Sequence, residues 1–368
     1  MRVLVLLTDA FGGYGGIAQF NRNLLGALCL YTGCIEVVAM PRLIPGDPGR
    51  LPEKLIYITE GIGGKVNYLR TAFRLTKRRG EFDLIICGHI NLLPVAYLFR
   101  LWFKIPILLV THGIDAWNPT HSHLVNFLVS KIDYFISVSN FTKRRFLEWA
   151  KINENTGFLL PNAIHHELYT PGLKSPLLLK RYGLDNKKVI MTLGRLSDHE
   201  RYKGFDEVIE VLPEVMREVP EIIYLIAGDG PDRNRLEGKA RNLGLEDHVI
   251  FTGFVDEKEK AEYYRLADAY AMPSRGEGFG IVFLEAMACG VPVVASKVDG
   301  SREAVLNGKL GILVDPTNPS EVKAGILEAL RRPKGVIPDG LKHFSFENFT
   351  SRLHTIIGKI LKDGRRKL

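Results

Sequence analysis

Residues 273–296 read Pro-Ser-Arg-Gly-Glu-Gly-Phe-Gly-Ile-Val-Phe-Leu-Glu-Ala-Met-Ala-Cys-Gly-Val-Pro-Val-Val-Ala-Ser, a segment that leaves few folds open. It begins with small residues and three glycines, Gly276, Gly278 and Gly280. A helical pattern follows over 281–289, Gly290 stops it, and an apolar strand pattern runs over 291–295. A glycine-rich turn lets a ligand reach the backbone. A helix starting there aims free N–H groups and its positive dipole end at an anion. A buried helix ended by Gly290 would account for Phe283, Leu284 and Met287, but for neither glutamate. Glu277 precedes the helix and Glu285 lies inside it, both beside the anion position. Carboxylates are poor company for phosphate but strong acceptors for sugar hydroxyls. The pattern fits a phosphate with a sugar on either side, as in a nucleotide sugar.

Glu277-Gly278-Phe279-Gly280, then Glu285 with seven residues between the glutamates, then 286–296, resembles the retaining glycosyltransferases of family four. These enzymes have the GT-B fold. The resemblance implies an α/β chain of two doubly wound, Rossmann-like domains facing across a cleft. Residues 1–164 plus 346–368 would bind the acceptor and residues 165–345 the nucleotide-sugar donor. The helix-like stretch 346–361 would cross back to the first domain.

The strand and helix patterns agree with that class. Apolar strand-like runs at 3–8, 35–39, 55–58, 84–87, 107–110 and 134–138 alternate with helical patterns, for example at 17–31, 65–79, 92–103 and 141–151. Near-continuous Val/Ile/Leu strands between helices indicate a parallel sheet covered on both faces. The pattern lapses at 160–171, a Pro-Asn and Pro-Gly linker, and a second series follows. Its strands are expected at 189–193, 222–227, 249–252, 269–272, 291–295 and 312–314, and its helices at 206–218, 233–243, 258–267 and 281–289. A chain of 368 residues is long enough for two cores. Cys29, Cys34, Cys87 and Cys289 form no CxxC pair, which favours free thiols in a reducing cytoplasm. The most apolar window, 92–110, is broken by Arg100, Lys104 and Pro106 and reads as helix, turn and strand rather than a membrane span.

Arg195, in Gly194-Arg195-Leu196, and Lys203, before Gly204, sit at a strand-to-helix turn of the sheet that carries the glycine-rich helix start. Two cations there could neutralise a departing diphosphate, and the resemblance assigns this pair as the diphosphate clamp. It further implies a donor site of Gly15, Gly16, Phe254, Val255, Glu277, Gly278, Phe279, Gly280, Ile281 and Glu285. His112, after the strand at 107–110, would contact the transferred sugar. The expected catalytic set is His112, Glu277, Arg195 and Lys203. The Gly228-Asp229-Gly230 turn would lie near the nucleotide. No cofactor and no metal are expected, and the chain holds no Asp-x-Asp pair.

Gly13-x-Gly15-x-x-Ala18 also fits a dinucleotide-binding turn, the mark of an NAD-type oxidoreductase. That pattern wants an acid ending the second strand, where this chain has Met40-Pro41-Arg42. The net charge is +8, and residues 1–164, with 18 Lys/Arg against 11 Asp/Glu, carry +7 of it. Arg70, Arg74, Lys77 and Arg78 fall on one face of the helix pattern at 65–79, with Val66, Leu69 and Phe73 on another. Such a helix suits an anionic membrane surface or a pyrophosphate-bearing acceptor. The expected activity is retaining, metal-independent transfer of a hexose from a UDP- or GDP-sugar to a saccharide or lipid-linked acceptor. The work would take place in the cytoplasm, with peripheral contact on the inner membrane face and without nucleic acid. A sugar phosphorylase or sucrose-type synthase of the same fold shares these donor motifs. A non-catalytic nucleotide-sugar-binding protein is the alternative from another class.

Overall fold

A computed structural model of the chain describes residues 1–77, 81–199 and 201–365. The chain divides into two compact units, Met1–Ala163 with Phe346–Leu368, and Ile164–Ser345. In chain order the first unit contains β1 (Arg2–Leu7), α1 (Gly15–Cys29), β2 (Glu36–Pro41), β3 (Leu55–Tyr57), α2 (Lys65–Leu75), β4 (Leu84–Cys87) and α3 (Leu93–Phe103). It continues with β5 (Ile107–Thr111), α4 (Ile114–Trp117), α5 (His123–Val129), β6 (Tyr134–Ser137), α6 (Asn140–Ala150) and β7 (Gly157–Leu159). The second unit contains α7 (Pro176–Tyr182), β8 (Lys188–Leu193), α8 (Phe205–Glu218), β9 (Ile222–Ala227), α9 (Arg233–Asn242), β10 (Val249–Gly253) and α10 (Lys260–Leu266). After these come β11 (Ala269–Met272), α11 (Ile281–Ala288), β12 (Val293–Ser296), α12 (Ser301–Ala304), β13 (Ile312–Val314) and α13 (Pro319–Arg331). The last helix, α14 (Phe346–Arg365), returns to the first unit.

Both sheets are parallel, ordered β3-β2-β1-β4-β5-β6-β7 and β10-β9-β8-β11-β12-β13. Each is doubly wound, and the strand order reverses between β1 and β4 in one and between β8 and β11 in the other. The central strands are apolar along their whole length because helices cover both faces, as in Leu84–Cys87 and Ile222–Ala227, which are buried throughout. In the first unit one core joins Tyr68 and Ala72 of α2, Ala96 and Phe99 of α3, Leu128 of α5 and Phe146 of α6. That common side follows from right-handed crossovers running in one direction along the sheet. On α1, helix α14 packs by Phe349 edge-on to Phe20 and by His354 Nε2 on Ala27 O (2.7 Å). All four cysteines are free and buried. No helix among the described residues is long and apolar enough to cross a membrane.

Several elements lay outside the sequence patterns. α13 is capped by Asn318, whose side chain accepts from Glu321 N, with Pro319 at its first position, a start signal the strand count had not needed. α5 and α7 are short, and β7 has three half-buried residues, too few for a period to show. The strand expected at 291–295 begins at Val293, since Val291 N bonds back to Ala286 O and Pro292 has no N–H to offer. On α2 the buried face is Tyr68, Thr71, Ala72 and Leu75, while Val66, Leu69 and Phe73 are exposed with Arg70 and Arg74; the helix expected at 65–79 ends at Leu75, so Lys77 lies in the turn beyond it, also exposed. Arg78 and Arg79, also expected on this helix, lie outside the described residues. On α3, Phe99 is buried, whereas Trp102 is exposed and donates its indole N–H to Thr76 O (2.9 Å).

Candidate active site

In the second unit the loops after β8 and β11 flank the point where strand order reverses, which is where ligands of open α/β sheets bind. The loops are stitched together, since Arg275 N donates to Tyr202 O (2.7 Å). Gly204 makes the approach possible. It sits at φ +85°, and a Cβ there would lie 2.8 Å from Pro273. The approach carries Lys203 to Glu277, Nζ to Oε2 at 3.4 Å. Lys203 also runs along Gly194 and over the Tyr202 ring. Arg195, next in the chain to Gly194, is exposed and pairs with no carboxylate among the described residues.

Gly280, in the left-handed region at φ +85°, caps α11 without a side chain, so the helix's first N–H groups are not covered by a capping oxygen. Gly278, Phe279 and Ile281 are buried around that start, with Phe279 edge-on to Phe344. Glu277 is held by its backbone. Its N–H donates to Asp299 Oδ2 (2.8 Å), and its carbonyl accepts from Gly300 N (2.8 Å). The Asp299 carboxylate also takes Ser274 Oγ (2.7 Å), Ser301 Oγ (2.6 Å) and Ser301 N (3.0 Å). Burial pushes its pKa up to about 6 against the pull of these hydrogen bonds. Sequence reasoning passed over Asp299. Its signal was an acid right after an apolar strand and before Gly300-Ser301.

Glu285 points inward and is 2% exposed. Tyr169 donates to Oε1 (3.1 Å), Tyr264 donates to Oε2 (2.7 Å), and Lys260 Nζ stands 3.9 Å from Oε1. Burial, with Glu285 beside them, raises the pKa of both tyrosines, so they stay neutral donors. Phe254, after β10, is exposed, and Val255 beside it is buried.

The remaining expected residues belong to the first unit. Gly15 and Gly16 are exposed at the start of α1, Gly15 at φ +83°. His112 follows β5 half-buried, Nε2 2.9 Å from Gly88 O and its ring edge-on to Phe20. A carbonyl only accepts, so the ring proton sits on Nε2 and Nδ1 keeps a free lone pair. Burial pushes the His112 pKa down to about 4, leaving a neutral imidazole. Asp115 sits beneath it and accepts from the His112 and Gly113 backbone, its pKa pushed up to about 7 by burial.

The comparisons with known proteins fall on both units. Residues 14–168 match the model of Glycosyltransferase Family 4, and residues 177–336 match that of Glycosyl transferases group 1. A GDP-mannose-dependent α-(1-6)-phosphatidylinositol monomannoside mannosyltransferase of Mycolicibacterium smegmatis is 33% identical over 314 residues, 80% of this chain and 81% of that protein. An N-acetyl-α-D-glucosaminyl L-malate synthase of Bacillus anthracis is 28% identical over 273 residues, 71% of this chain and 70% of that protein. Among solved structures, HepE of Anabaena in complex with UDP-glucose aligns with a TM-score of 0.76 at 21% identity, covering 98% of this chain and all of that one. Sucrose-phosphate synthase of Thermosynechococcus elongatus aligns at 0.77 and 22%, over 99% of this chain and 100% of that one. These two likenesses are of fold.

Proposed function

The chain belongs to the family-four glycosyltransferases, and from that premise we propose that it is a retaining, metal-independent hexosyltransferase. Its donor is a nucleotide-diphosphate sugar and its acceptor a saccharide or lipid-linked sugar. The observation that carries this reading is the Lys203 and Glu277 pair beside the uncapped start of α11, with the Glu277 backbone fastened by Asp299 and Gly300. An incoming diphosphate draws Lys203 from Glu277 onto itself, next to Arg195. Glu277 is thereby freed to accept from hydroxyls of the transferred sugar. As the sugar–phosphate bond breaks, negative charge grows on the leaving oxygen. Lys203, Arg195 and the N–H groups of α11 stabilise it there. The acceptor hydroxyl attacks the anomeric carbon from the same face, and its proton passes to the departing phosphate oxygen. His112 of the first unit, neutral and with its proton on Nε2, offers Nδ1 as an acceptor for a sugar hydroxyl. Phe254 and Val255 border the base, and Glu285 takes the ribose.

GDP-mannose is the first donor to try, because the mycobacterial relative is named for it, and UDP-glucose the second. A screen of GDP- and UDP-sugars for slow hydrolysis tests the reading. Turnover of one donor that survives EDTA and is lost in Glu277→Ala supports it. Donor binding without turnover of any donor would leave a nucleotide-sugar-binding protein, and activity abolished by EDTA and restored by manganese would refute metal independence. The enzyme works in the cytoplasm, with peripheral contact to an anionic membrane through α2.

A further inference from the structure

The first unit has its own reversal of strand order, between β1 and β4. Register sets Leu7 of β1 beside Pro41 of β2, and Leu6 beside Cys87 of β4. The residues just past these ends, Arg42 and His89, therefore flank the end of β1 on either side. Arg42 is fixed there by its N–H, which reaches Leu7 O and Thr8 O (both 3.0 Å), and Gly88 N bonds to Leu6 O (2.8 Å). Arg42 is half-buried and pairs with no carboxylate among the described residues. His89, also half-buried, accepts from Asn91 N at Nδ1 (3.2 Å), so its ring proton sits on Nε2 as a donor. After burial, the Arg42 charge holds the His89 pKa below its usual value, and His89 acts the same way on His112. The acid at the end of β1, Asp9, is engaged by Thr8 Oγ1 (3.0 Å), and the cation acting on it is Arg22.

A half-buried guanidinium and a half-buried imidazole N–H at strand ends on either side of β1, neither with an acceptor among the described residues, make an incomplete arrangement. The planar fork of arginine matches two oxygens of a phosphate, and a neutral saccharide would leave its charge uncompensated. We propose that Arg42 and His89 form an anion subsite that holds a phosphate group of the acceptor. Resting on the transferase reading for its place in the reaction, this narrows the acceptor class to phosphate-bearing molecules, either soluble sugar phosphates or phosphodiester lipid headgroups. Bound phosphate stabilises the protonated ring of His89, while burial and the Arg42 charge oppose it.

The test is an NMR titration of the His89 imidazole in the full chain, its signal assigned with His89→Gln. The probes are inorganic phosphate, inositol 1-phosphate as monoester, glycerophosphoinositol as diester, and inositol as neutral control. A saturable shift of His89 with a phosphate probe, a raised ring pKa, and affinity lowered about tenfold or more in Arg42→Gln are expected. Arg42→Lys should retain part of the affinity. Saturation by the monoester alone assigns a soluble sugar phosphate, and saturation by the diester assigns a lipid headgroup. No saturable shift, an equal response to inositol, or an unchanged affinity in a folded Arg42→Gln overturns the subsite. Calorimetry with GDP and UDP reads the donor site separately, so failure here and failure of the transferase reading are distinguishable.

Discussion

The loop edges of the two sheets are built from the same topology and differ in how far their charges are compensated. In the second unit each carboxylate around α11 already has partners. Glu277 has Lys203, Glu285 has two tyrosines, and Asp299 has two hydroxyls and two backbone N–H groups. Farther along the same sheet, Asp206 is held by Arg235 and Lys239. In the first unit Arg42 has no acid, His112 leans on a carbonyl, and Arg70, Arg74 and Lys77 stand exposed. A site that binds a highly charged ligand in one orientation gains from groups fixed beforehand. Cations that wait for an external anion keep their charge uncompensated, and there the +7 of residues 1–164 acquires a meaning.

The sharpest way to break this contrast is to remove the cations of the second unit's site. Lys203→Ala and Arg195→Ala are each expected to lower turnover roughly 10²-fold or more, the scale of losing one preorganised stabiliser of developing charge. A folded double variant with unchanged kinetics would end the clamp assignment.

Glu285 separates support from chemistry. Glu285→Ala leaves the hydroxyls of Tyr169 and Tyr264 buried without their acceptor, so about 1–3 kcal/mol of unfolding free energy should be lost. Glu285→Gln, which keeps one oxygen acceptor, should lose less. In the stable fraction of Glu285→Ala the donor KM should rise while kcat holds, because ribose contacts are shared by ground and transition states. Denaturant unfolding with kinetics on the folded protein checks both. A tenfold fall in kcat at saturating donor would move Glu285 into the chemistry.

The depth of Glu285 also shows where the sequence stops being legible. The α/β class, the alternating order and the glycine-opened helix follow from local periodicity and turn chemistry, and family membership confirms the recognition drawn from residues 273–296. The glutamate spacing is visible in the chain. That one of the two is enclosed by Tyr169 and Tyr264, from 116 and 21 residues earlier, is not, since such partners meet only through tertiary packing. Asp299 was missed for the same reason, as its work is on the backbone of Glu277. On α2 the apolar residues Val66, Leu69 and Phe73 looked like a face with a role, but only the packing of Tyr68, Ala72 and Leu75 tells which apolar face is core.

Titration sharpens the comparison within the first unit. The folded-state pKa of His112 is lowered to about 4, so folding excludes a proton the unfolded chain binds below about 6.5. Its effect on stability is unfavourable in acid and fades as pH rises from about 4 to 6.5. Asp115, raised to about 7, has the opposite sign. The folded state keeps a proton that the unfolded chain releases above 3.8, so stability falls as pH rises from about 4 to 7. In His112→Gln only the second trend remains. The variant should gain on the wild type by about 1–2 kcal/mol on going from pH 6.5 to 4, measured by urea unfolding. Parallel pH profiles for the two proteins would mean that His112 binds its proton equally in the folded and unfolded states.

The smallest expected effect concerns the exposed face of α2, where the first unit's charge is least compensated. Arg70 and Arg74 lie there with Val66, Leu69 and Phe73, which are 70%, 52% and 65% exposed, and Lys77 follows in the turn beyond the helix. Near an anionic bilayer each cation contributes about 1 kcal/mol of attraction, which falls with salt. The apolar side chains add a part that salt does not screen, about 25 cal/mol per Å² of apolar area removed from water. The two parts can be separated by co-sedimentation with anionic vesicles. Arg70→Glu with Arg74→Glu should lose binding at low salt. Leu69→Ser with Phe73→Ser should keep low-salt binding but release at lower ionic strength than the wild type. Neutral vesicles should bind neither variant. If the wild type ignores anionic vesicles at low salt, the helix face is solvated surface, and the contrast between the two units narrows to the strand ends around Arg42 and His89.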